Sequence, residues 1–331
     1  MLASPLFGIA SGPDLLRLLA VPVFAWAAYR DLRTRRVPNR TWLPLVVVGI
    51  IALAWDLLAV AGSPGFERRL FVVRTALSLG FVAPLGYVFW RIGGFGGADA
   101  KAIITLALVF PVYPVYYALG GAYPIHAAPF GVFSFTILSN TVLIGLLYPV
   151  LLAVRNLPQG EITPAMFIGR PVSVAEITSE YGRLLETPAG FTRGGLDIDA
   201  LRMYLRWRGL GFSELRDDPD RYRESVPADP ADPGDGSIDS DRDGAFADGG
   251  EIEPIDGDPW GAEAFLSEHA AYGTTPEELR EGLSVLSESG REVVWITPGI
   301  PFIVPMLVGL LAALTFGDVM FWVLSSVGVG V

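Results

Sequence analysis

The sequence predicts an all-α polytopic membrane protein of about six transmembrane helices, with a large, partly disordered acidic cytoplasmic loop between the fifth and sixth. Three observations carry that prediction. Hydrophobic residues make up 51% of the 331 residues and charged ones only 18%, against about 25% charge in a soluble domain. The apolar residues gather in runs of membrane-spanning length, roughly 17–25 residues. The net charge of −11 comes from one stretch, because residues 213–292 carry −17 and the rest of the chain +6.

The spans follow in order. Residues 15–29 are the shortest run, with Arg17 near one end, where a long side chain can snorkel to the interface. Residues 42–61 contain one charge, Asp56, and residues 70–90 one, Arg74. Residues 102–119 and 130–154 contain none, and after Pro301 the chain is apolar apart from Asp318. A signal peptide at the start fits less well, because the basic cluster follows the first apolar run instead of preceding it. The expected division is a membrane core at 1–154, a cytoplasmic region at 155–297 and a C-terminal span at 298–331.

Orientation follows from Arg and Lys in the connections. Alternate connections, beginning with the RDLRTRRVPNR segment after the first run, hold 14 basic residues, and the opposite side holds Arg68 and Arg69. The first set is therefore assigned to the cytoplasm, with both termini outside. Within the long connection, 214–257 is rich in Asp, Pro and Gly and poor in aromatics, a composition expected to stay disordered. Its flanks read as helices: LDIDALRMYLRWRGL at 196–210 has helical apolar spacing, and TTPEELREGLSVL at 274–286 opens with Thr275, Pro276, Glu277 and Glu278. The acidic excess with a single lysine, Lys101, resembles proteins of halophilic archaea. At molar salt the Debye length is about 3 Å, so such a segment repels itself little.

Composition excludes several chemistries. Zero cysteines rule out disulfides, thiol proteases and thiolate metal sites. His126 and His269 are far apart in sequence, which disfavours a His-based zinc site or a Ser-His triad. Asp239-Ser-Asp241-Arg-Asp243-Gly244 mimics a calcium loop, but the twelfth position, which needs a carboxylate, is Gly250. No metal, cofactor or nucleic-acid partner is expected.

Ionisable groups in or beside membrane spans are functional candidates by default: Asp31, Asp56, Arg74, Asp99, Lys101 and Asp318. Asp31 closes the first span and Asp99 opens the fourth, both at the cytoplasmic face by the charge asymmetry, whereas Asp56 and Asp318 fall toward the outer side. Two carboxylates at one face suggest an aspartyl pair that shares one proton, one member deprotonating water while the other polarises a carbonyl. Each also reads structurally. Asp31 lies four residues before Arg35, as in an i,i+4 ion pair, and Asp99 follows Gly96-Gly97-Ala98, as in a helix cap.

The wording around the pair bears on this choice. DLRTRRVPN around Asp31 and GGFGGADAK around Asp99 resemble the two aspartate motifs of the prepilin peptidases. These A24 membrane aspartic peptidases include the archaeal preflagellin peptidases. Val37-Pro38-Asn39 fits the basic Pro-Asn segment after the first aspartate, and Lys101 fits the lysine two residues after the second. Ala98 stands where the family has glycine, with Gly96 and Gly97 retained. Trp295-Ile-Thr-Pro-Gly-Ile-Pro-Phe-Ile-Val-Pro305 is similar to the C-terminal region of haloarchaeal members.

The resemblance implies a membrane aspartic endopeptidase that removes class III signal peptides from pilin and archaellin precursors at the cytoplasmic membrane face, with Asp31 and Asp99 catalytic and Gly96, Gly97 and Lys101 supporting them. Such precursors join a short basic leader to an apolar helix, so cleavage belongs at the membrane boundary, in contact with the lipid bilayer. The Gly93-Gly94-Phe95-Gly96-Gly97 run permits close backbone approach there. The alternative reading is a small ion- or proton-coupled transporter using Asp56, Asp99 or Asp318. A noncatalytic scaffold with an acidic docking arm leaves the aspartate motifs without a role.

Overall fold

The computed structural model describes residues 5–92, 94–159, 164–238, 252–298 and 302–328. The chain forms two units, one of Met1–Tyr148 with Pro301–Val331 and one of Pro149–Ile300.

The first unit is helical apart from one small hairpin. Helix α1 (Gly12–Arg17) starts where Ser11 accepts the Asp14 backbone N–H at 3.3 Å, with Pro13 in its first turn. Helix α2 (Ala20–Thr34) stops where Arg35 turns left-handed at φ 53°. Then come α3 (Leu43–Ala61), α4 (Gly65–Leu77) and α5 (Ala83–Arg91). A π-helical turn, Ser78–Val82, joins the last two into one rod, Gly65–Arg91. Helix α6 (Gly97–Val109), strands β1 (Tyr116–Ala118) and β2 (Gly121–Tyr123), and α7 (Phe133–Asn156) follow.

Three of these helices are long and apolar enough to cross a membrane: Asn39–Ala61, Gly65–Arg91 and Phe133–Asn156. The other expected spans are broken. The run at 15–29 divides between α1 and α2. The run at 102–119 stops being helical at Phe110, because Pro111 pushes the residue before it out of the helical region (φ −124°, ψ 58°). Arg17 does not snorkel: it is 1% exposed, donates to Asp14 Oδ1 and the Val109 carbonyl at 2.7 Å each, and pairs with Asp56.

The packing centres on α6, flanked by α3 and α5. Gly86 lets α5 close on α6, since a β-carbon there would lie 3.0 Å from Ile103 Cγ2. Along α2 the buried residues are Ala20, Phe24, Ala27, Ala28 and Asp31, a single stripe at helical spacing. The Ser78 hydroxyl donates to the Ala107 carbonyl at 2.6 Å and lies 2.7 Å from the Ser134 hydroxyl, tying the π turn to α6 and α7.

The second unit adds strands to the all-α expectation, and it gives ordered elements at 214–238 and 252–257 of the centre expected to be disordered, 239–251 lying outside the described residues. It contains β3 (Arg170–Ser173), β4 (Arg183–Leu184), β5 (Glu186–Thr187), β6 (Gly190–Phe191) and α8 (Ile198–Arg208). Then come α9 (Phe212–Asp217), α10 (Pro219–Arg223), β7 (Ser225–Pro227) and β8 (Ile252–Pro254). It ends with α11 (Ala262–Glu268), α12 (Pro276–Ser287) and β9 (Val293–Thr297), which pairs antiparallel with both β3 and β4.

Its core holds Leu201, Tyr204, Trp207, Leu215, Tyr222, Trp260, Phe265 and Leu283. Three of these lie in or just past the stretch read as disordered. Buried arginines finish the packing. Arg208 donates to the carbonyls of Tyr222 and Ser225 at 2.7 Å, and Arg202 to those of Gly236 and Glu180 at 2.6 Å. Both flanking helices form as expected, α12 with the reciprocal Thr275–Glu278 cap. The calcium-like stretch 239–244 lies outside the described residues.

After β9 the chain returns to the first unit as α13 (Ile303–Thr315) and α14 (Val319–Ser326). The break between them is fixed by Gly317, at φ 101°, where a β-carbon would sit 1.8 Å from the His126 carbonyl oxygen. The last expected span is thus two short helices.

Candidate active site

Asp31 and Asp99 reach the same region from different helices. Asp31 occupies the last turn of α2, on its buried stripe, and is 8% exposed. The stripe is shaped by small residues, so α2 lies against α13, whose Ile303 backbone N–H donates to the Asp31 carboxylate. Its other oxygen, Oδ2, is buried with no hydrogen-bond partner among the described residues.

Asp99 is the third residue of α6. The Gly94–Gly97 loop before it is extended at Gly96 (φ −65°, ψ 155°), and Asp99 Oδ2 accepts the Gly96 N–H at 3.2 Å. This is half of a capping box, because glycine has no side-chain oxygen to return the bond. Asp99 is half-buried, and its carboxylate is close enough to that of Asp31 for the two charges to repel. Of the structural roles foreseen in the sequence, Asp99 does cap its helix, and Arg35 lies within electrostatic reach of Asp31.

The two motifs are also joined through their flanks. Lys101 Nζ donates to Asn39 Oδ1 at 2.6 Å, linking the lysine of the second motif to the Pro-Asn of the first. Thr34 steers the chain toward that contact: its hydroxyl donates to the Arg30 carbonyl at 3.0 Å, and the left-handed Arg35 reverses the direction. A β-carbon on Gly96 would lie 3.0 Å from Asp99 Oδ2, whereas one on Gly97 would meet Trp90 no closer than 3.6 Å. Ala98 is partly buried in the core without disturbing the turn. Gly93 lies outside the described residues.

Some participants were not foreseen. Phe95 stacks between Phe89 at 5.0 Å and Phe302 at 4.8 Å, pinning the glycine loop to the end of α5 and the start of α13. The only sequence signal for Phe302 and Ile303 was the family-like wording of 295–305. The remaining carboxylates are held elsewhere. Asp56 pairs with Arg17, and Asp318, 2% exposed, caps α14 through the Phe321 N–H at 2.9 Å and accepts from the Thr136 hydroxyl at 2.8 Å.

Comparison with known proteins supplies the family. Residues 18–153, which contain both aspartates, match the type IV leader peptidase family, and residues 244–319 match the archaeal peptidase A24 type II C-terminus. The preflagellin peptidase of Methanococcus voltae is 27% identical over 161 residues, 45% of this chain and 64% of that protein. Prepilin peptidase EppA of Methanothermobacter thermautotrophicus is 28% identical over 122 residues, 36% of this chain and 29% of that protein. The preflagellin peptidase of Methanocaldococcus jannaschii is 24% identical over 159 residues, again 45% and 64%. The chain thus spans less than two thirds of the length of these relatives. The two family matches together cover well over half of it, and the chain belongs to the peptidase A24 family.

Proposed function

We propose that the chain is a membrane aspartic endopeptidase that removes the leader from pilin and archaellin precursors, with Asp31 and Asp99 as its catalytic pair. The observation that carries this reading is the approach of the two motif aspartates from separate helices. Two carboxylates within repulsive reach of each other do not both ionise readily, so we assign one proton to the pair as a unit. The ionised member takes a proton from water as the water oxygen bonds to the scissile carbonyl carbon. The protonated member donates to the carbonyl oxygen. Collapse of the tetrahedral intermediate breaks the C–N bond, and a proton passes to the leaving amine. The excess of Arg in the segment after Asp31 supports a cytoplasmic position for this pair, where a precursor's apolar helix would meet its basic leader.

The transporter reading gains no support from Asp56 or Asp318, which are engaged in an ion pair and a helix cap. The test is cleavage of a tagged precursor co-expressed with the chain. Asp31→Asn and Asp99→Asn should each abolish the mobility shift while the protein still accumulates in the membrane. Asn caps a helix about as well as Asp, so wild-type cleavage by Asp99→Asn would reduce Asp99 to a cap and end the reading.

A further inference from the structure

We propose that a groove beside the carboxyl end of α2 binds the phosphate headgroup of an anionic phospholipid. The groove has a volume of about 410 Å³; Pro22, Val23 and Trp26 form its apolar wall, and Arg30, Arg40 and Thr41 its polar end. Two independent features point to a bound anion. Neither Arg30 nor Arg40 has a carboxylate partner among the described residues. Arg30 is instead oriented by its own neighbours, Nε donating to the Arg36 carbonyl at 3.3 Å and the guanidinium lying 5.7 Å from the Trp26 ring centroid.

The second feature is Thr41, which is 9% exposed and whose hydroxyl is buried without a hydrogen-bond partner among the described residues. An unpaired buried hydroxyl is costly, and such groups are rarely left so. A phosphate oxygen at the polar end accepts from both guanidinium groups, and a small shift of the groove wall on binding would open the buried Thr41 hydroxyl to it as a third donor. The shape selects the rest of the ligand. Free phosphate leaves the apolar wall uncovered, whereas a phospholipid places its glycerol and upper acyl chain against Pro22, Val23 and Trp26. A basic peptide is repelled by the two uncompensated arginines. Basic pockets beside membrane helices recognise anionic lipids in this way.

The experiment is native mass spectrometry of the full chain in neutral detergent, titrated separately with phosphatidylglycerol, with phosphatidylcholine of the same chains, and with glycerol phosphate. One phosphatidylglycerol should be retained in preference to phosphatidylcholine, and glycerol phosphate should bind more weakly than either arm's preferred lipid. Arg40→Gln should weaken phosphatidylglycerol about fivefold, as expected for one arginine at an anionic headgroup, and Arg30→Gln with Arg40→Gln should remove the preference. Equal retention of the two lipids, an unchanged preference in the double variant, or glycerol phosphate binding as tightly as the lipid would each overturn the proposal. If the double variant misfolds, Arg40→Gln alone, at an exposed residue, and Thr41→Val decide. Cleavage is not the readout, so a chain that cuts nothing yet prefers phosphatidylglycerol would end the peptidase reading and leave this one standing.

Discussion

Removing the bond between Asn39 and Lys101 tests whether the two motifs act as one unit. Lys101 Nζ lies 2.6 Å from Asn39 Oδ1, and both side chains are exposed. A hydrogen bond to a charged group contributes about 1.5–3 kcal/mol, and competition from water favours the low end. If that energy holds the Asp99 helix in register with the segment after Asp31, its loss costs about tenfold in kcat/KM. The assay is the initial rate of leader removal from a tagged precursor in mixed detergent extracts. Asn39→Ala and Lys101→Ala should each fall about tenfold, and the double variant should be no slower than either, because both remove one shared contact. A double variant about a hundredfold slower would show independent roles. Harmless Asn39→Ala beside a slow Lys101→Ala would show that the lysine acts through its charge and not as a tether.

The neighbouring glycines should part company: Gly96→Ala crowds the Asp99 carboxylate at 3.0 Å and should depress cleavage severalfold, while Gly97→Ala, with 3.6 Å to spare, should cleave normally. Arg17→Leu strands Asp14 and Asp56 and should destabilise the helical unit by about 3–5 kcal/mol, read as a lower melting temperature in detergent; Asp56→Asn, which still accepts from Arg17, should be milder. In the second unit, burial and then repulsion from Asp199 push the Asp197 carboxyl up to about 6, against the pull of Arg183. A raised carboxyl binds its proton more tightly folded than unfolded, so its contribution is present below about pH 4 and lost as pH rises toward 6. Asp197→Asn should match wild type in protease resistance at pH 4 and exceed it at pH 7.5; equal resistance at both would refute the argument.

The sequence exposes the parts of this protein that depend on local composition. The runs at 42–61, 70–90 and 130–154 survive as long helices, Pro44 because it falls in a first turn, and the rod of 65–91 and α7 despite Pro84 and Pro149 within them. Residues 102–119 show the limit: the average is apolar throughout, yet the helix ends at Val109, ahead of Pro111 and Pro114. The acidic centre was misread for the same reason. Mean composition over 214–257 hides Leu215 and Tyr222, which join a core with Trp260 and Phe265 of the flank and with α8 and α12. Asp31 and Asp99 were legible as charges at the edges of apolar runs with motif-like neighbours. The Lys101–Asn39 bond and the Phe89–Phe95–Phe302 stack were not, since each joins residues that no spacing rule relates.

The antiparallel pairing of β9 with β3 and β4 sets strand 293–297 beside 170–173 and 183–184. The polypeptide therefore leaves and re-enters this unit at adjoining points, as inserted domains do when they are tolerated by their hosts. The described residues between β4 and β9 belong to a span whose two ends are joined by this pairing. A change of length within that span can therefore be absorbed without altering the pairing of β9 with β3 and β4.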